Sequence, residues 1–298
     1  MAPSPSIDRL VGAIQERFSD SLDSVLFYGA GLRDGDVDEE GLFDFIVVVD
    51  SYRKAYGGLK LALLNVLLPP NVFYLEVPRE DASPLRAKYA VVSKPQLRRW
   101  VAPSCRQVWF WGRLAQPVRI AWSRDERAQQ DAVSMLEQSV RTFADKAIPL
   151  VDSPFSSAEF WTTGLRASYG AELRAEKKGR SRTIYDKDPG RYERLTEAVA
   201  FDRGWAPTAE ERFAVEIGGL RRWWHRRGWQ LRRWQGKTLH VFRLVNGAAT
   251  FKGGVDYLLW KIELHSGVKI EVSDRARRHP LLAGWVTFWK LRRKGGFR

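Results

Sequence analysis

Residues 25–50 read VLFYGAGLRDGDVDEEGLFDFIVVVD. An apolar run leads into the glycine turn Tyr28-Gly29-Ala30-Gly31, an acidic loop follows, and a second apolar run reaches Asp50. We therefore predict a buried strand, a turn and a second strand. Asp44 stands in the second strand at a position where a buried strand normally carries another apolar residue.

This layout is typical of a protein that holds a nucleoside triphosphate. Glycines let backbone N–H groups approach phosphates, and a carboxylate on the adjoining strand can hold Mg²⁺ against them. The same residues are also compatible with a tight turn between two core strands that leaves one aspartate partly exposed. The stretch alone leaves both interpretations open.

Composition limits the class of protein. The chain has 298 residues, of which 44% are hydrophobic, enough for one large domain or two ordinary ones. The single cysteine, Cys105, excludes an internal disulfide and a cysteine-based zinc site, and it fits a reducing compartment. The four histidines include no i, i+4 pair, so we expect no histidine-based metal site.

Targeting signals are not evident in the sequence. No apolar run reaches the roughly 20 residues that span a bilayer. The first residues have neither a basic start with an apolar stretch nor an arginine-rich, acid-poor character. We expect a protein without a signal peptide or transmembrane span, peripheral on the cytoplasmic side of a membrane.

Positive charge is concentrated at one end of the chain. Residues 201–298 hold 21 Lys and Arg against 8 Asp and Glu, a net charge of +13 out of +14 for the whole chain. The same segment holds eight of the 13 tryptophans. A basic, tryptophan-rich segment predicts an anionic partner with an apolar or stackable part, which fits nucleic acid and an anionic membrane surface.

Hydrophobic periodicity predicts an α+β fold in the first part of the chain. A helix is expected over 7–18 and another over 52–68, with a loop over 29–41. Strands are expected over 25–28, 43–49, 71–77, 87–93, 108–111 and 118–122. The strand over 43–49 is almost continuously apolar, so we place it in the centre of the sheet.

The pattern becomes helical after residue 123. Helices are expected over 129–147, 158–177, 192–200, 209–224, 256–265 and 281–293, and a polar loop over 178–189. The predicted organisation is a mixed sheet-and-helix domain over 1–123, a helical domain over 124–250 and a basic, aromatic, membrane-associating segment over 251–298. The C-terminal helix is expected to be basic and amphipathic.

Five short blocks follow one another along the chain. The blocks are Tyr28-Gly29-Ala30-Gly31, Asp44-Phe45-Ile46 with Asp50, Lys88-Tyr89-Ala90-Val91-Val92-Ser93, Gly112-Arg113-Leu114 with Pro117-Val118, and Ser168-Tyr169-Gly170 with Arg174. Together they resemble one known family, the mitochondrial-type phosphatidate cytidylyltransferases, also called translocator assembly and maintenance proteins. The chain looks like a bacterial-type member of that family. Ala30 replaces the family's serine, Gln116 replaces its lysine, and its Trp-His after the acidic strand is absent near 51–56.

The resemblance implies a nucleotidyltransferase fold and a specific reaction. Such an enzyme makes CDP-diacylglycerol and pyrophosphate from CTP and phosphatidate with Mg²⁺. By the resemblance, the catalytic residues are Asp44, Lys88 and Arg113. The residues expected to contact the nucleotide are Tyr28, Gly29, Ala30, Gly31, Ser168, Tyr169 and Arg174. From its aromatic surroundings alone, Arg113 either grips phosphate or pairs with a buried acid.

Asp44 is the first candidate for a metal ligand, and a second carboxylate is needed because Leu42 occupies the usual position two residues earlier. The candidates are Asp36, Asp38, Asp50 and Glu76. Each has another interpretation. The loop aspartates fit a solvated acidic loop, Asp50 fits a helix cap, and Glu76 fits a strand-end surface residue.

Residues 221–234 contain six arginines and four tryptophans. These residues suit a membrane interface, an RNA platform, or a charged helix whose tryptophans pack into the core. Near the C-terminus, Leu281, Leu282, Trp285, Phe288 and Trp289 form a stripe before a basic cluster, which is typical of an interfacial helix or of a helix docked on the core. The alternatives to a lipid enzyme are a nucleotidyltransferase that acts on RNA, and a non-catalytic lipid- or RNA-binding module.

Overall fold

A five-stranded mixed sheet forms the first half of the protein. The structure is a computed structural model that describes residues 4–33, 42–79, 84–172 and 179–250, with side chains as far as residue 239. The strands are β1 (Leu22–Tyr28), β2 (Leu42–Val49), β3 (Asn71–Val77), β4 (Leu85–Ser93) and β5 (Val118–Ser123). They lie in the order β3-β4-β2-β1-β5, and β2 pairs with β4 in parallel while the other pairs are antiparallel.

Helices precede, connect and follow the strands. They are α1 (Pro5–Phe18), α2 (Ala30–Arg33), α3 (Tyr52–Tyr56), α4 (Leu59–Leu67), α5 (Lys94–Val101), α6 (Trp109–Leu114), α7 (Glu126–Ala147), α8 (Ser157–Tyr169), α9 (Arg180–Asp186), α10 (Pro189–Arg203) and α11 (Gly219–Thr250). A small hairpin, β6 (Ala206–Pro207) and β7 (Phe213–Ala214), comes before α11. The predicted α+β class is confirmed.

Strand β2 lies in the centre of the sheet, as its apolar sequence predicts. Phe45 and Val47 face one side and pack with the apolar stripe of α1. Ile46 and Val48 face the other side and pack with α5 and α6. Because side chains alternate across a strand, a strand covered on both faces must be apolar at nearly every position. This requirement makes Asp44 exceptional.

The sheet and the helical part share two helices. Ala132 and Met135 in the first half of α7 pack against the sheet. Phe143 and Ala147 in its second half pack with α8 and α10. Helix α6 divides in the same way, with Phe110 toward the sheet and Trp111 toward the helices. The predicted boundary near residue 123 therefore falls between β5 and α7, where the two cores are continuous.

Three predictions in the first half differ from the structure. The apolar run 108–111, predicted as a strand, begins helix α6, and a short apolar run has no periodicity that distinguishes the two. The helix predicted over 52–68 is two helices, because Gly57 ends α3 in the left-handed conformation with φ of 60°. The loop predicted over 29–41 begins with the helical turn α2.

Two more corrections concern the helical half. Residues 209–224, predicted as one helix, contain strand β7 and the start of α11, and Phe213 pairs with Phe155 across an isolated bridge. The loop predicted over 178–189 contains α9, since Ile184 and Tyr185 pack into the helical core. These contacts could not be predicted from the polarity of the local sequence, because the residues that make them are distant in sequence.

Some predictions lie outside the described residues. They are the helices over 256–265 and 281–293, the whole segment 251–298, and the candidates Asp36, Asp38 and Arg174. Within the part of the chain that is described, no helix has the length and apolar character needed to cross a bilayer.

Candidate functional site

The glycine turn and the strand carboxylate are in direct proximity. Strand β1 ends at Tyr28, which is paired in register with Asp44 on β2. The next residue, Gly29, has φ of 98°, a conformation that favours glycine. A Cβ atom at position 29 would lie 2.9 Å from Asp44 Oδ2. The turn therefore needs a glycine both for its backbone and for the space that the carboxylate occupies.

Lys88 lies beside Asp44 on the neighbouring parallel strand. The two residues are register partners on β2 and β4, and Lys88 Nζ is 2.8 Å from Asp44 Oδ1. Their side chains are 23% and 24% exposed, so solvent and ligands can reach them. Asp44 Oδ1 is buried and accepts no hydrogen bond of good geometry despite this ion pair. Two of the three predicted catalytic residues are thus brought together.

Arg113, the third, is held in a buried ion pair with Glu172. Both guanidinium Nη atoms contact the carboxylate, with Nη2 to Oε2 at 2.7 Å. The guanidinium also lies over Trp109, 4.6 Å from the ring centroid. Burial lowers the pKa of Arg113, but the charge and hydrogen bonds of Glu172 outweigh burial and raise it overall. The sequence left open whether Arg113 binds phosphate or pairs with an acid, and in the structure it pairs with Glu172.

Tyr28 links the two groups of residues. Its phenol lies close enough to Arg113 to contribute to the raised pKa of the guanidinium, as does Tyr169. Since Tyr28 is also paired with Asp44, the buried ion pair lies next to the glycine turn. Glu172 was missed by sequence reasoning. The only signal for it was the need of a buried arginine for a carboxylate.

The other predicted nucleotide contacts hold helices together in the described structure. Tyr169 donates a hydrogen bond to Gln116 Oε1 at 3.0 Å, and Gln116 Nε2 donates to the carbonyl of Gly112 at 2.8 Å. Ser168 donates to the carbonyl of Leu165, and a Cβ at position 112 would lie 3.3 Å from Ser168 Cβ. These residues join α6 to α8. Ala30 and Gly31 form the start of α2.

Asp50 and Glu76 are not brought to Asp44. Asp50 lies six residues further along β2, about 20 Å away in an extended strand. It is bound by Arg124 at 2.8 and 2.9 Å, and these hydrogen bonds lower its pKa. Ser51, not Asp50, caps α3. Glu76 pairs with Arg86 at 3.0 Å near the surface.

Among the described residues, the other two candidate carboxylates, Asp50 and Glu76, pair with arginines away from Asp44. Across the described ranges, no three His, Cys, Asp or Glu side chains are grouped so that they could share a metal ion. The loop that contains Asp36 and Asp38 is outside the described residues.

The basic, tryptophan-rich residues 221–234 lie on the long helix α11. Trp229 is buried, packs edge-on against Trp111, and donates a hydrogen bond to the carbonyl of Lys146 at 2.9 Å. Helix α11 also contacts strand β3. Trp229 therefore anchors to the helical core a helix that contacts the sheet as well.

The opposite side of α11 carries an exposed apolar stripe. Residues three, four, eleven and fourteen positions after Leu220 share one side of an α-helix, and they are Trp223, Trp224, Leu231 and Trp234. Trp224 and Trp234 are 63% and 69% exposed, against 2% for Trp229. Arg227 lies on the same side and packs over Trp223. The interpretation that all four tryptophans pack into the core is wrong for three of them.

Comparisons with known proteins add little. No family model matches the chain, and no curated protein matches it. Among solved structures, the chain is similar to a nucleotidyltransferase-like protein from Exiguobacterium sibiricum, with 13% identity and a TM-score of 0.28. The similarity covers 97% of this chain and 91% of that one. A TM-score this low supports no functional conclusion.

Proposed function

We propose that this protein is a nucleotidyltransferase that makes CDP-diacylglycerol and pyrophosphate from CTP and phosphatidate at a membrane surface. The proposal is carried by the contact between the glycine turn and Asp44, with Lys88 in register beside it. A turn without a side chain, an accessible carboxylate and a cation at one strand end are the groups that a triphosphate requires.

The reaction needs positioning more than proton transfer. A phosphatidate phosphate oxygen attacks the α-phosphorus of CTP, a new P–O bond forms, and the bond to the β-phosphate bridging oxygen breaks as pyrophosphate leaves. The nucleophile is already anionic near neutral pH, so neither a strong base nor a catalytic histidine is required. Gly29 would admit the phosphates, and Lys88 would supply positive charge to them.

Asp44 is suited to hold Mg²⁺ together with substrate phosphates. Its Oδ1 is buried without a well-formed hydrogen bond, and Gly29 leaves its other oxygen uncovered by a side chain. Mg²⁺ usually takes one or two carboxylates and completes its shell with phosphates and water, so Asp44 could serve as the one carboxylate in place of the pair expected from the sequence. The ion would neutralise phosphate charge there. Arg113 would act through its contact with Glu172, as a positioning residue.

The exposed stripe on α11 favours a membrane over RNA as the surface of action. Tryptophans beside arginines suit both partners. Leu220 and Leu231 share the stripe, and leucines gain free energy from insertion into lipid but cannot stack on bases. An RNA substrate is the outcome to expect if lipid has no effect.

The first test is pyrophosphate release from CTP and Mg²⁺ with vesicles that contain phosphatidate. We expect release that requires phosphatidate and that falls at least about 100-fold in Asp44→Asn. Glu76→Gln is the matched control, because it removes one carboxylate charge at a surface ion pair and should keep full activity. Release with RNA instead of lipid would replace the substrate assignment. No release with either substrate would leave a non-catalytic module.

The second test is cosedimentation with anionic vesicles. The double variant Trp224→Ala/Trp234→Ala should bind at least about tenfold more weakly, since each indole buries apolar area worth more than 1 kcal/mol. Phe201→Ala is the control, because Phe201 is an exposed aromatic residue on α10. Unchanged binding of the double variant would contradict the membrane role of α11.

A further inference from the structure

A half-buried arginine, Arg232, lies on the flank of α11 next to the helical core, apart from the exposed stripe. A small pocket there is lined by residues that precede or begin α6, that follow α8, and that belong to α11. Its polar and aromatic lining includes Arg106, Gln107, Trp109, Glu172, Arg232 and Gln235.

Arg232 is the unusual member of this lining. Its Nε and Nη1 atoms are buried and have no hydrogen-bond acceptor among the residues that the structure describes. The guanidinium folds back along its own helix, where Nη1 lies 2.9 Å from the point that a Cβ at Gly228 would occupy. It also lies 5.6 Å from the Trp229 ring centroid. Burying a guanidinium without an acceptor is costly, and an anion bound at these donors would remove that cost.

The surrounding charge is positive. Burial lowers the pKa of Arg232, and the charge of Arg106 lowers it further. Burial also lowers the pKa of Lys146, and Arg232 is the next largest cause. The carboxylate in the lining, Glu172, is bound by Arg113. Arg232 is therefore in a repulsive interaction with Arg106 and with Lys146, at a place where an anion would reduce the repulsion and accept hydrogen bonds from Arg232.

We propose that this pocket binds a phosphate group, with Arg232 as the central donor and Arg106 at its rim. A guanidinium presents parallel N–H groups that match two phosphate oxygens. Gln235 adds an amide donor at the lining. The site is separate from Asp44, and the inference does not depend on nucleotidyl transfer.

Calorimetric titration of the full-length protein with inorganic phosphate tests the site, with chloride at equal ionic strength as the reference. We expect saturable binding to the wild type and at least about tenfold weaker binding to Arg232→Gln, since a hydrogen bond to a charged group is worth more than 1.4 kcal/mol. Arg233→Gln is the matched control. It removes the same charge from the next residue of the same helix, where the side chain is exposed, and should bind like the wild type.

Thermal unfolding without phosphate separates a binding role from a structural one. Because Arg232 has no acceptor, Arg232→Gln should melt at or above the wild-type temperature. If that variant does not fold, Arg106→Gln at the exposed rim of the pocket is used for the titration instead. We expect it to bind phosphate more weakly than the wild type. Binding no tighter than the chloride reference, or equal binding by wild type and folded Arg232→Gln, would overturn the proposal.

Vesicles identify the source of the phosphate group. If it belongs to a lipid, Arg232→Gln should lose affinity for phosphatidate vesicles but not for phosphatidylglycerol vesicles of equal charge. If it is a soluble phosphate, vesicle binding should not change while binding of inorganic phosphate is lost. Either result supports a phosphate site. If Arg232→Gln keeps its affinity for both phosphatidate vesicles and inorganic phosphate, the proposal is contradicted.

Discussion

At the scale of single residues, the candidate site requires a residue without a Cβ atom at position 29. Gly29 has no Cβ, and the space that a Cβ would occupy is taken by the Asp44 carboxylate. The positive φ at the same position makes any side chain unfavourable for a second reason. The turn and the aspartate are therefore coupled, and a substitution at Gly29 should change the position of the Asp44 carboxylate.

Gly29→Ala should lower both stability and activity. The left-handed backbone costs about 1–2 kcal/mol, and the methyl group would displace Asp44, so we expect pyrophosphate release to fall about tenfold or more. Gly57→Ala is the control, because Gly57 has φ of 60° but nothing within 4 Å of its Cβ position. It should lose stability alone. Equal activity losses in the two variants would contradict the coupling.

The buried pair of Arg113 and Glu172 yields another residue-scale prediction. Glu172→Gln leaves an uncompensated guanidinium in the interior and should lower the free energy of unfolding in urea by about 3 kcal/mol. Asp186→Asn removes one partner of the exposed i, i+4 pair with Arg182 and should cost less than about 0.5 kcal/mol. Arg113→Met/Glu172→Leu should recover most of the loss. A Glu172→Gln protein as stable as the wild type would show that the pair is not strongly coupled.

At the scale of elements, the crossing of α7 and α8 is a close contact in the helical half. A Cβ at Gly164 would lie 2.5 Å from Phe143 Cζ and 2.8 Å from Ala147 Cβ. Gly164 on α8 thus allows the helices to approach. Because Trp111, Phe143 and Trp161 pack around this crossing, it also positions α6, the helix that carries Arg113.

Gly164→Ala should therefore destabilise the protein, although alanine is the better helix former by about 1 kcal/mol. Overpacking at this crossing should outweigh that gain, for a net loss of about 1–2 kcal/mol in urea unfolding. Gly12→Ala, in the interior of α1 with nothing within 4 Å of its Cβ position, should raise stability by up to about 1 kcal/mol. The same sign for both variants would contradict the packing account.

At the scale of the whole molecule, a network of ion pairs joins five elements at the sheet end opposite Asp44. Lys94 on α5 contacts both the buried Asp23 on β1 and Asp131 on α7. Arg124, just after β5, pairs with Asp23 and with Asp50 after β2. The network fastens the helix layer and the sheet to one another.

This network predicts loss of stability in acid. Hydrogen bonds from Arg124 lower the pKa of Asp50. Burial raises the pKa of Asp131, but hydrogen bonds from Lys94 and Arg98 outweigh it and lower the pKa overall. Since the folded-state pKa values lie below the unfolded ones, this stabilisation is complete above about pH 4 and is lost as the pH falls further.

The melting temperature should accordingly decline below about pH 4. Arg124→Gln should melt lower at pH 6 and show a shallower decline, because one of the pairs is already absent. Arg182→Gln, at an exposed pair, should follow the wild-type curve. Parallel curves for wild type and Arg124→Gln would show that these carboxylates do not control acid stability.

Hydrophobic patterning alone is enough to identify the buried segments in the first half of the chain. The apolar stripe of α1, the continuous apolar run of β2 and the strand over 71–77 appear at their predicted places, because hydrophobic periodicity records the burial of a local face. Asp44 stood out for the same reason, as a charge inside a buried strand. Short apolar runs such as 108–111 lack a period, and there the prediction failed.

The contacts between residues that are distant in sequence follow from the tertiary structure and could not be predicted from the sequence pattern. Lys88 reaches Asp44 across 44 residues because β4 pairs with β2 in that register. Glu172 meets Arg113 because α8 ends beside α6. Of the four tryptophans in 221–234, the position of α11 on the helical core buries Trp229 and exposes the others. Periodicity predicts whether a side chain points toward the core or toward solvent. The residue that the side chain contacts depends on strand order, strand register and helix crossing.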